Sequence, residues 1–386
     1  MRRAGVVLVV LGAVMLLPWL LAVPAGEGVQ AAVSSPSPAA TRPDGPAPTV
    51  APGPRSSPAA PVVQAPPPAA PPAPARTAAP APVTRPAPPL PPRLRPRPTR
   101  PAVDADLPDP DILHVGATWW AYATGSGFLH LQVLASPDLR SWTAPVDALP
   151  HLPAWASPGV AWGPAVVFMA GDFRLYYSAR DAALGRECLS VAAAATPAGP
   201  FVDASATPLT CQSTSGGSID PEPFLSSDGT PYLLWKSEDN ALGSASRIGV
   251  QQLSPDGLSL VGPRPRLLTA TGRWQSGVVE GPSMVAAGGR YYLFYGAGHW
   301  DTSGAAIGYA VCAGPLGPCV DATVSRPWLA SSPGMWGPSG PDVFTGPDGR
   351  DAIAFHAWDG PPGGPRSARA LWVMPLTFLN GVPVIG

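Results

Sequence analysis

The stretch 279–295, VEGPSMVAAGGRYYLFY, joins a Glu-Gly-Pro turn to a run of aromatic and aliphatic residues. Four other stretches repeat this arrangement, and the aromatic runs begin at residues 119, 173, 232, 291 and 352, with spacings of 54, 59, 59 and 61 residues. Short runs rich in Tyr, Trp and Phe that are bounded by Gly and Pro are typical of β-strands. A unit of roughly 55 to 60 residues with three or four such strands is typical of one propeller blade. The sequence therefore predicts an all-β, five-bladed β-propeller.

A short cluster of Gly, Pro or acidic residues precedes each aromatic run by ten to twelve residues. The first strand of every propeller blade lines the central channel, so residues at this early position converge although they lie far apart in the sequence. An Asp-Pro or Glu-Gly-Pro sequence alone is ordinary turn sequence, but three acids at one phase of the repeat predict an acidic site. Three of the five positions carry a carboxylate and two carry glycine, namely Asp109, Gly163, Asp220, Glu280 and Gly340.

A ring of carboxylates in an aromatic channel suits acid–base chemistry. Burial and mutual repulsion raise the pKa of some of the carboxyls and so prepare them as acid and base. Hydrolysis of a glycosidic bond needs two carboxyl groups, of which one protonates the leaving oxygen and the other activates water or attacks carbon. The pattern therefore favours a glycosidase.

The charge distribution argues against nucleic acid binding. Residues 31–100 contain 24 prolines, eight arginines, one acid and no aromatic residue, whereas residues 101–386 contain 14 basic and 23 acidic residues. Nucleic-acid-binding proteins concentrate Lys and Arg on the folded module, and here that module is acidic. The only lysine, Lys236, fits a composition biased toward arginine. We expect a monomer that acts on a polysaccharide or oligosaccharide.

The N-terminal hundred residues predict export and a spacer. Met1, Arg2 and Arg3 precede an apolar run over residues 4–23, and small residues follow where a signal peptidase can cleave. The run has the length of the ~20 residues that span a bilayer, so an uncleaved anchor remains an alternative. The Pro- and Ala-rich part has too little apolar surface to fold. We assign 1–30 to a signal peptide or anchor, 31–103 to a disordered linker and 104–386 to the propeller of an extracellular or surface-tethered protein.

The four cysteines agree with an oxidising compartment. Their spacing does not match a metal site, and four cysteines allow three pairings. Because each couple brackets a short, turn-rich segment, we predict two local disulfides, Cys188–Cys211 and Cys312–Cys319.

Over residues 104–386 the motifs resemble those of glycoside hydrolase family 43, the arabinanases, arabinofuranosidases and β-xylosidases built on a five-bladed propeller. The resemblance rests on segments 106–111 (DLPDPD), 135–142 (ASPDLRSW), 218–221 (SIDP), 279–283 (VEGPS) and 355–358 (FHAW). In that family the first-blade Asp is the general base, the third-blade Asp orients the acid and adjusts its pKa, and the fourth-blade Glu is the general acid. The resemblance implies these roles for Asp109, Asp220 and Glu280.

Other residues are second candidates. Asp111 and Glu222 lie two residues after Asp109 and Asp220, hence on the same side of their strands, but the resemblance favours the earlier acid of each pair. Aromatic rings pack on sugar faces, His299 follows the fourth aromatic strand and can reach the channel mouth, and His356 matches the pattern of the family. The predicted substrate-binding residues are Trp162, Trp274, His299 and His356.

The resemblance does not extend to a metal. Many family members have a Gly-Pro-Gly-His turn in the fifth blade, whose His helps to hold a calcium ion, whereas residues 337–340 read Gly-Pro-Ser-Gly here, with Gly340 in place of the His. We therefore predict no cofactor. A structural calcium would need oxygen ligands, of which Asp342 is the nearest candidate.

Three other interpretations remain open at this point. A carbohydrate-binding propeller without activity does not need three converging acids. A fructan-active five-bladed enzyme would carry Asn-Asp-Pro-Asn, Arg-Asp-Pro and Glu-Cys patterns, where this chain has Pro-Asp-Pro-Asp, Ile-Asp-Pro and Glu-Gly-Pro. A wall protein with a dead site leaves the acids unexplained. The sequence does not choose between arabinose and xylose or between endo and exo action, although the resemblance favours arabinan.

Overall fold

The structure is a computed structural model and describes residues 94–364 and 368–386. The strands of these residues form five antiparallel sheets, one per blade. Blade 1 contains β1 (Asp111–Val115), β2 (Thr118–Thr124), β3 (Leu131–Ser136) and β4 (Val146–Asp147); blade 2 contains β5 (Trp162–Met169), β6 (Asp172–Arg180) and β7 (Glu187–Ala194). Blade 3 contains β8 (Ser218–Leu225), β9 (Pro231–Ser237), β10 (Arg247–Leu253), β11 (Leu260–Val261) and β12 (Arg266–Thr269). Blade 4 contains β13 (Val279–Ala287), β14 (Arg290–Ala297), β15 (Ala306–Cys312) and β16 (Cys319–Asp321); blade 5 contains β17 (Trp336–Thr345), β18 (Asp351–Trp358), β19 (Arg369–Leu379) and β20 (Val382–Ile385).

The five sheets surround a central channel. The first strands of the blades contact one another in the cyclic order β1, β5, β8, β13, β17 and back to β1. The prediction of an all-β, five-bladed propeller is therefore confirmed. Among the described residues the only helices are three short 3-10 turns, Ser213–Ser215, Asp239–Leu242 and Arg273–Gln275. No helix in this part of the chain is long and apolar enough to cross a membrane.

The aromatic runs form the second strand of each blade and build the core. Tyr122, Tyr177, Trp235, Tyr295 and Phe355 are all almost completely buried. Each packs into an apolar cluster together with residues of neighbouring strands. An aromatic side chain buries roughly 150 to 250 Å², so one such strand per blade supplies much of the apolar surface that holds adjacent sheets together.

A left-handed residue directly before a proline marks the inner end of every blade. Its φ angle lies between 50° and 58° in all five blades, and from blade 2 to blade 5 the strand pairing shifts register at this point. The conformation costs a non-glycine residue roughly 1 to 2 kcal/mol, and Asp tolerates it better than most. The five residues are Asp109, Gly163, Asp220, Gly281 and Gly340. The phase predicted for Glu280 is therefore wrong by one residue, because Gly281 occupies the shared position.

Residues before β1 join the first blade to the last. Val103 forms a β-bridge with Leu371 of β19. The Arg95 guanidinium forms an ion pair with Asp348 at 3.0 Å and donates to the Leu376 carbonyl at 3.0 Å. Residues 94–103, which the sequence analysis assigns to the linker, thus contact blade 5. The predicted signal segment and residues 31–93 of the predicted linker lie outside the described residues.

Both predicted disulfides are present in the structure. Cys188, in β7, pairs with Cys211, which precedes β8. Cys312 ends β15 and pairs with Cys319 at the start of β16, across the hairpin that joins the two strands. Each bridge therefore closes a short segment, as the spacing of the cysteines predicts.

Candidate active site

A cleft of about 470 Å³ opens at the channel and is lined by residues of all five blades. Asp109, Asp220 and Glu280 all line it, so the structure brings the three predicted acids together. A larger cavity of about 810 Å³ lies between residues 94–104 and blades 1 and 5, but its lining consists mainly of prolines, arginines and apolar residues. The cleft with converging acids is the candidate active site.

Asp109 is held as an ionised carboxylate. Its Oδ2 accepts a hydrogen bond of 2.6 Å from the Thr124 hydroxyl and lies 4.0 Å from the guanidinium of Arg369. Burial is the largest influence and by itself raises the pKa, but His356, Arg369, Thr124 and Lys236 together lower the pKa below its ordinary value. A carboxyl with a lowered pKa is ionised at neutral pH and can accept a proton.

His356 does not line the cleft but supports Asp109 from blade 5. Its Nδ1 accepts a hydrogen bond of 3.0 Å from the backbone N–H of Asp109, so the proton of the neutral ring is on Nε2. The side chain is 1 % exposed, and burial lowers the pKa of His356 to about 4. The neutral ring therefore positions Asp109. At neutral pH the charged groups that keep Asp109 ionised are Arg369 and Lys236.

Asp220 has the opposite electrostatic environment. Its Oδ2 accepts a hydrogen bond of 2.9 Å from the backbone N–H of Gly281 in the next blade. Burial, followed by the charges of Glu280 and Asp109, raises the pKa of Asp220 to about 8, although Lys236 acts in the other direction. Asp220 therefore keeps its proton at neutral pH while Asp109 is ionised.

Glu280 is bound by the only lysine of the chain. Lys236 Nζ donates to Glu280 Oε2 at 2.9 Å and forms an ion pair with Glu238 Oε1 at 2.7 Å. The Glu280 side chain is 14 % exposed and lines the cleft together with both of these partners. The acid predicted from the sequence thus lies in the cleft, next to a cation that the sequence analysis did not assign to it.

Two glycines of the inner ring make room for the acids. A Cβ on Gly163 would lie 2.9 Å from Asp220 Oδ1, and a Cβ on Gly340 would lie 3.1 Å from both Cα and Oδ1 of Asp109. A real Cβ essentially never comes as close as 2.9 Å to another atom, and a distance of 3.1 Å is tighter than most real Cβ contacts. The glycines that the repeat places among the acids are therefore part of the site, because a side chain there would displace a carboxylate.

Two of the four predicted substrate-binding residues line the cleft. Trp162 and His299 line the cleft, from blade 2 and blade 4, and the Trp162 side chain is 38 % exposed. The neighbour of His299, Trp300, also lines the cleft, and its ring lies 4.9 Å from the guanidinium carbon of Arg369. His356 acts through Asp109, as described above.

Trp274 does not line the cleft. It follows Gly272 in a 3-10 turn, and its ring stacks on Tyr295 with 6.3 Å between the ring centres. Its Nε1 donates to the Thr323 carbonyl at 2.8 Å. The structure therefore assigns Trp274 to packing within blade 4 rather than to a sugar platform, because both its ring face and its polar atom are engaged there.

A second layer of acids lies in the channel outside the cleft. Asp111, Glu222 and Asp342 line a narrow cavity of about 40 Å³. Burial raises the pKa of Asp111 and Glu222 well above the ordinary value and that of Asp342 to about 7. Asp111 and Glu222 are the second candidates predicted from the sequence, and Asp342 is the predicted calcium candidate. The side chains of Asp111 and Asp342 accept hydrogen bonds from backbone N–H groups of β5 and β1.

Gly340 and Asp342 do not fit the calcium site of the family that the sequence resembles. Gly340 offers no side-chain ligand at the position of the His, and Asp342 Oδ2 is already bound by the Ile112 N–H at 2.8 Å. Among the described residues no group of three His, Cys, Asp or Glu side chains has an arrangement that could hold a metal ion. We therefore derive no step through a metal.

Sequence reasoning missed several cleft residues. Lys236, Glu238, Thr124 and Arg369 each contact a predicted acid directly or through one partner. The one available signal was the single lysine among 23 arginines. Thr124 and Arg369 belong to strands whose composition gives no indication of a site.

Comparison with known proteins agrees with this geometry. The family model described as glycosyl hydrolases family 43 matches residues 98–383. The chain is 27 % identical over 267 residues to a β-D-galactofuranosidase of Aspergillus niger, covering 64 % of this chain and 73 % of that one. It is 26 % identical over 270 residues to the extracellular endo-α-(1→5)-L-arabinanase 1 of Bacillus subtilis, covering 66 % and 80 %.

A solved structure shares the fold and part of the sequence. The crystal structure of a thermostable family-43 glycoside hydrolase is similar with a TM-score of 0.65 and 28 % identity, and the match covers 73 % of this chain and 93 % of that one. The family model spans all five blades and includes the three acids that meet in the cleft. The protein is thus a glycoside hydrolase, and the chain belongs to glycosyl hydrolases family 43.

Proposed function

We propose that this protein is an exported hydrolase that cleaves α-L-arabinofuranosyl bonds, with β-D-xylosyl bonds as the alternative, in plant or cell-wall polysaccharide. The observation that carries the proposal is the convergence of Asp109, Asp220 and Glu280 on one cleft, with opposite protonation of the two aspartates. A non-catalytic carbohydrate-binding module has no need for this arrangement. A family relationship to arabinan- and galactofuranoside-degrading enzymes supports a furanoside as substrate.

In the proposed reaction Asp109 is the general base. Its carboxylate removes a proton from a water molecule while the water oxygen forms a bond to the anomeric carbon. Thr124 and Arg369 keep this carboxylate charged, and the N–H···Nδ1 bond to His356 fixes the backbone that carries it. Single displacement of this kind inverts the anomeric configuration and requires about 6.5 to 9.5 Å between the two carboxyls.

Glu280 is the proposed general acid. As the bond between the anomeric carbon and the leaving oxygen breaks, Glu280 transfers its proton to that oxygen. Because the charges of Asp220 and Glu280 oppose each other, the pair keeps one proton at neutral pH, and in the proposed reaction Glu280 donates it. At the end Asp109 holds the proton taken from water and Glu280 is ionised, so one proton exchange with solvent restores the starting state.

Hydrolysis of defined substrates tests this function. The full-length protein is incubated with arabinan, arabinoxylan and the 4-nitrophenyl glycosides of α-L-arabinofuranose, β-D-xylose and β-D-galactofuranose. We expect release from the arabinofuranoside, and proton NMR of the first product should show the inverted anomer. Retention, or hydrolysis of none of these substrates, would overturn the proposal, and preference for another glycoside would replace the proposed sugar.

Variants of the two acids test their separate roles. Glu280→Gln should lose most activity on arabinan but keep much of it on the 4-nitrophenyl glycoside, because nitrophenolate leaves without a proton. Asp109→Asn should impair both substrates about equally, since water must be activated in either case. Glu222→Gln changes an acid of the channel that lies outside the cleft; it is the matched control and should not show this dependence on the leaving group. The reverse pattern would exchange the two roles.

Two further features belong to this proposal. The two disulfides and the similarity to an extracellular arabinanase support export, and N-terminal sequencing of the exported protein distinguishes a cleaved signal from a retained anchor. We also propose that catalysis needs no resident metal or other cofactor. Dialysis against EDTA should leave kcat unchanged, and a loss restored by calcium would refute this part.

A further inference from the structure

Lys236 is a buried lysine in a chain whose other basic residues are all arginines. Among 24 basic residues it is the only lysine, and its side chain is 3 % exposed. An ammonium is a compact point charge with three donors, whereas a guanidinium is a wide planar fork. The lysine therefore places a compact positive charge between the carboxylates of Glu238 and Glu280.

Lys236 forms ion pairs with carboxylates of two blades, one in blade 3 and one in blade 4. Glu238 Oε1 lies 2.7 Å from Nζ and comes from the same blade, two residues further along the chain. Glu280 Oε2 lies 2.9 Å from Nζ and comes from the neighbouring blade. Although burial lowers the pKa of Lys236, Glu280, Glu238 and Asp220 together raise it, so the lysine is charged at every pH at which the enzyme works.

Contact with Oε2 has a consequence for the acid. An ammonium has no lone pair and can only donate, so Oε2 of Glu280 is the accepting oxygen. The proton of a protonated Glu280 must then be on Oε1, which is the oxygen left for the leaving group. The positive charge at Oε2 also opposes retention of a proton by the Asp220–Glu280 pair.

We propose that Lys236, held by Glu238, is a positioning residue that fixes which oxygen of Glu280 carries the catalytic proton and sets the pH above which that proton is lost. The proposal rests on the proposed role of Glu280 as general acid. Glu238 acts in the opposite sense to Lys236, because its negative charge offsets that of the ammonium.

Several other charged groups act on the same cluster. Besides Lys236, Glu238 and Glu280, the nearby charged or titratable groups are Asp109 of blade 1, Asp220 of blade 3 and Arg369 of blade 5, which lies beside Asp109. His299 and Asp301 of blade 4 also line the cleft. The test changes only Lys236 and Glu238 and leaves these groups in place, so each shift reports the charge that was removed.

The pH dependence of kcat/KM tests the proposal. Its basic limb reports loss of the proton from the acid of the free enzyme, here the Asp220–Glu280 pair. Lys236→Met removes a positive charge, so the limb should move up by about 1 to 3 pH units. Glu238→Gln removes a negative charge and strengthens the hold of Lys236 on Glu280, so the limb should move down. Lys236→Arg keeps the charge and should stay closer to the wild type than Lys236→Met.

Controls separate this effect from a general disturbance. Arg180→Met removes one cation from an ion pair with Glu187 outside the cleft, and its limb should stay in place. A merely structural role of Lys236 would lower kcat/KM at every pH without moving the limb. Limbs that do not move, or that move in the same direction in Lys236→Met and Glu238→Gln, would overturn the proposal.

The design also covers misfolding and failure of the proposed function. If Lys236→Met does not fold, the Glu238→Gln variant tests the proposal on its own. A basic limb of kcat/KM that stays in place or moves to higher pH in this variant refutes the proposal. Carbon-13 NMR titration of labelled Glu side chains follows Glu280 without any substrate, with Glu280→Gln to assign its signal. An unchanged Glu280 titration in both variants refutes the role of Lys236. Equal losses of Glu280→Gln on both substrate types instead refute only its role as acid.

Discussion

Replacement of Asp220 by Asn should make the protein more stable at neutral pH while it impairs catalysis. The pKa of Asp220 is raised from 3.8 to about 8 in the folded protein, mainly by burial. In the unfolded chain the carboxyl ionises at its ordinary pKa, so the folded state holds a proton that the unfolded state has lost. Stability therefore falls as the pH rises from about 4 toward 8. Asn keeps the shape and the oxygen that binds the Gly281 N–H, and has no such cost.

The size of the effect follows from the same pKa. At pH 7, about three pH units above the ordinary pKa, the folded protein still holds this proton. Each of these units corresponds to roughly 1.4 kcal/mol of free energy of unfolding. Because Glu280 and Lys236 titrate with it, we expect a gain of about 1 to 4 kcal/mol for Asp220→Asn at pH 7. For a domain of this size that is roughly 2 to 4 °C in Tm per kcal/mol.

Thermal unfolding of the wild type and of Asp220→Asn, followed by circular dichroism between pH 4 and pH 8, measures this. The gain in Tm should be near zero at pH 4 and largest at pH 8. Asp228→Asn is the matched control, because the pKa of that exposed Asp is lowered to about 2 by hydrogen bonds, the largest of them from Ser226, and its replacement should not raise the Tm. A gain that is equal at all pH values, or a lower Tm at pH 7, would show that the ionisation of Asp220 does not limit stability.

Three further outcomes are expected. Gly340→Ala should lower kcat at least tenfold with a smaller change in KM, because its Cβ would lie 3.1 Å from Asp109 and φ is 58°; steady-state kinetics checks this, and unchanged kcat would contradict it. Trp162→Ala should raise KM for oligosaccharides several-fold and leave the Tm within a few degrees, as kinetics and calorimetry can show; an unchanged KM would remove Trp162 from the binding surface. Replacing Cys188 and Cys211 together by Ser should lower the free energy of unfolding by about 2 to 4 kcal/mol, and denaturant unfolding with no loss would contradict a stabilising bridge.

The fold could be predicted because its signal is repeated. Each aromatic run occupies one buried strand, and five runs at a regular spacing leave few alternatives to a closed ring of blades. The disulfides could be predicted for a similar reason, since Cys312 and Cys319 are separated by a single hairpin. These features depend on short-range sequence and on repetition, which are both visible without a structure.

The details of the site depend on contacts between blades, which the sequence does not display. Lys236 and Glu280 are 44 residues apart and meet only because blades 3 and 4 are adjacent. The repeat predicts the phase of Glu280 one residue too early. In Asp-Pro the acid stands directly before the proline, whereas in Glu-Gly-Pro a glycine lies between them. Trp274 lies six residues before Glu280, but the intervening turn directs its ring toward Tyr295.

The β-bridge between Val103 and Leu371 also bears on how the chain folds. Within residues 94–364 and 368–386, blade 1 is built from β1 to β4 alone, so the ring closes through this bridge and its neighbours after both partners have been synthesised. The two residues are 268 positions apart, and at about 5 to 20 residues per second the second partner follows the first after roughly 13 to 54 s. During that interval blade 1 has no neighbour on one side, and its apolar face is open to chaperones, proteases or another nascent chain.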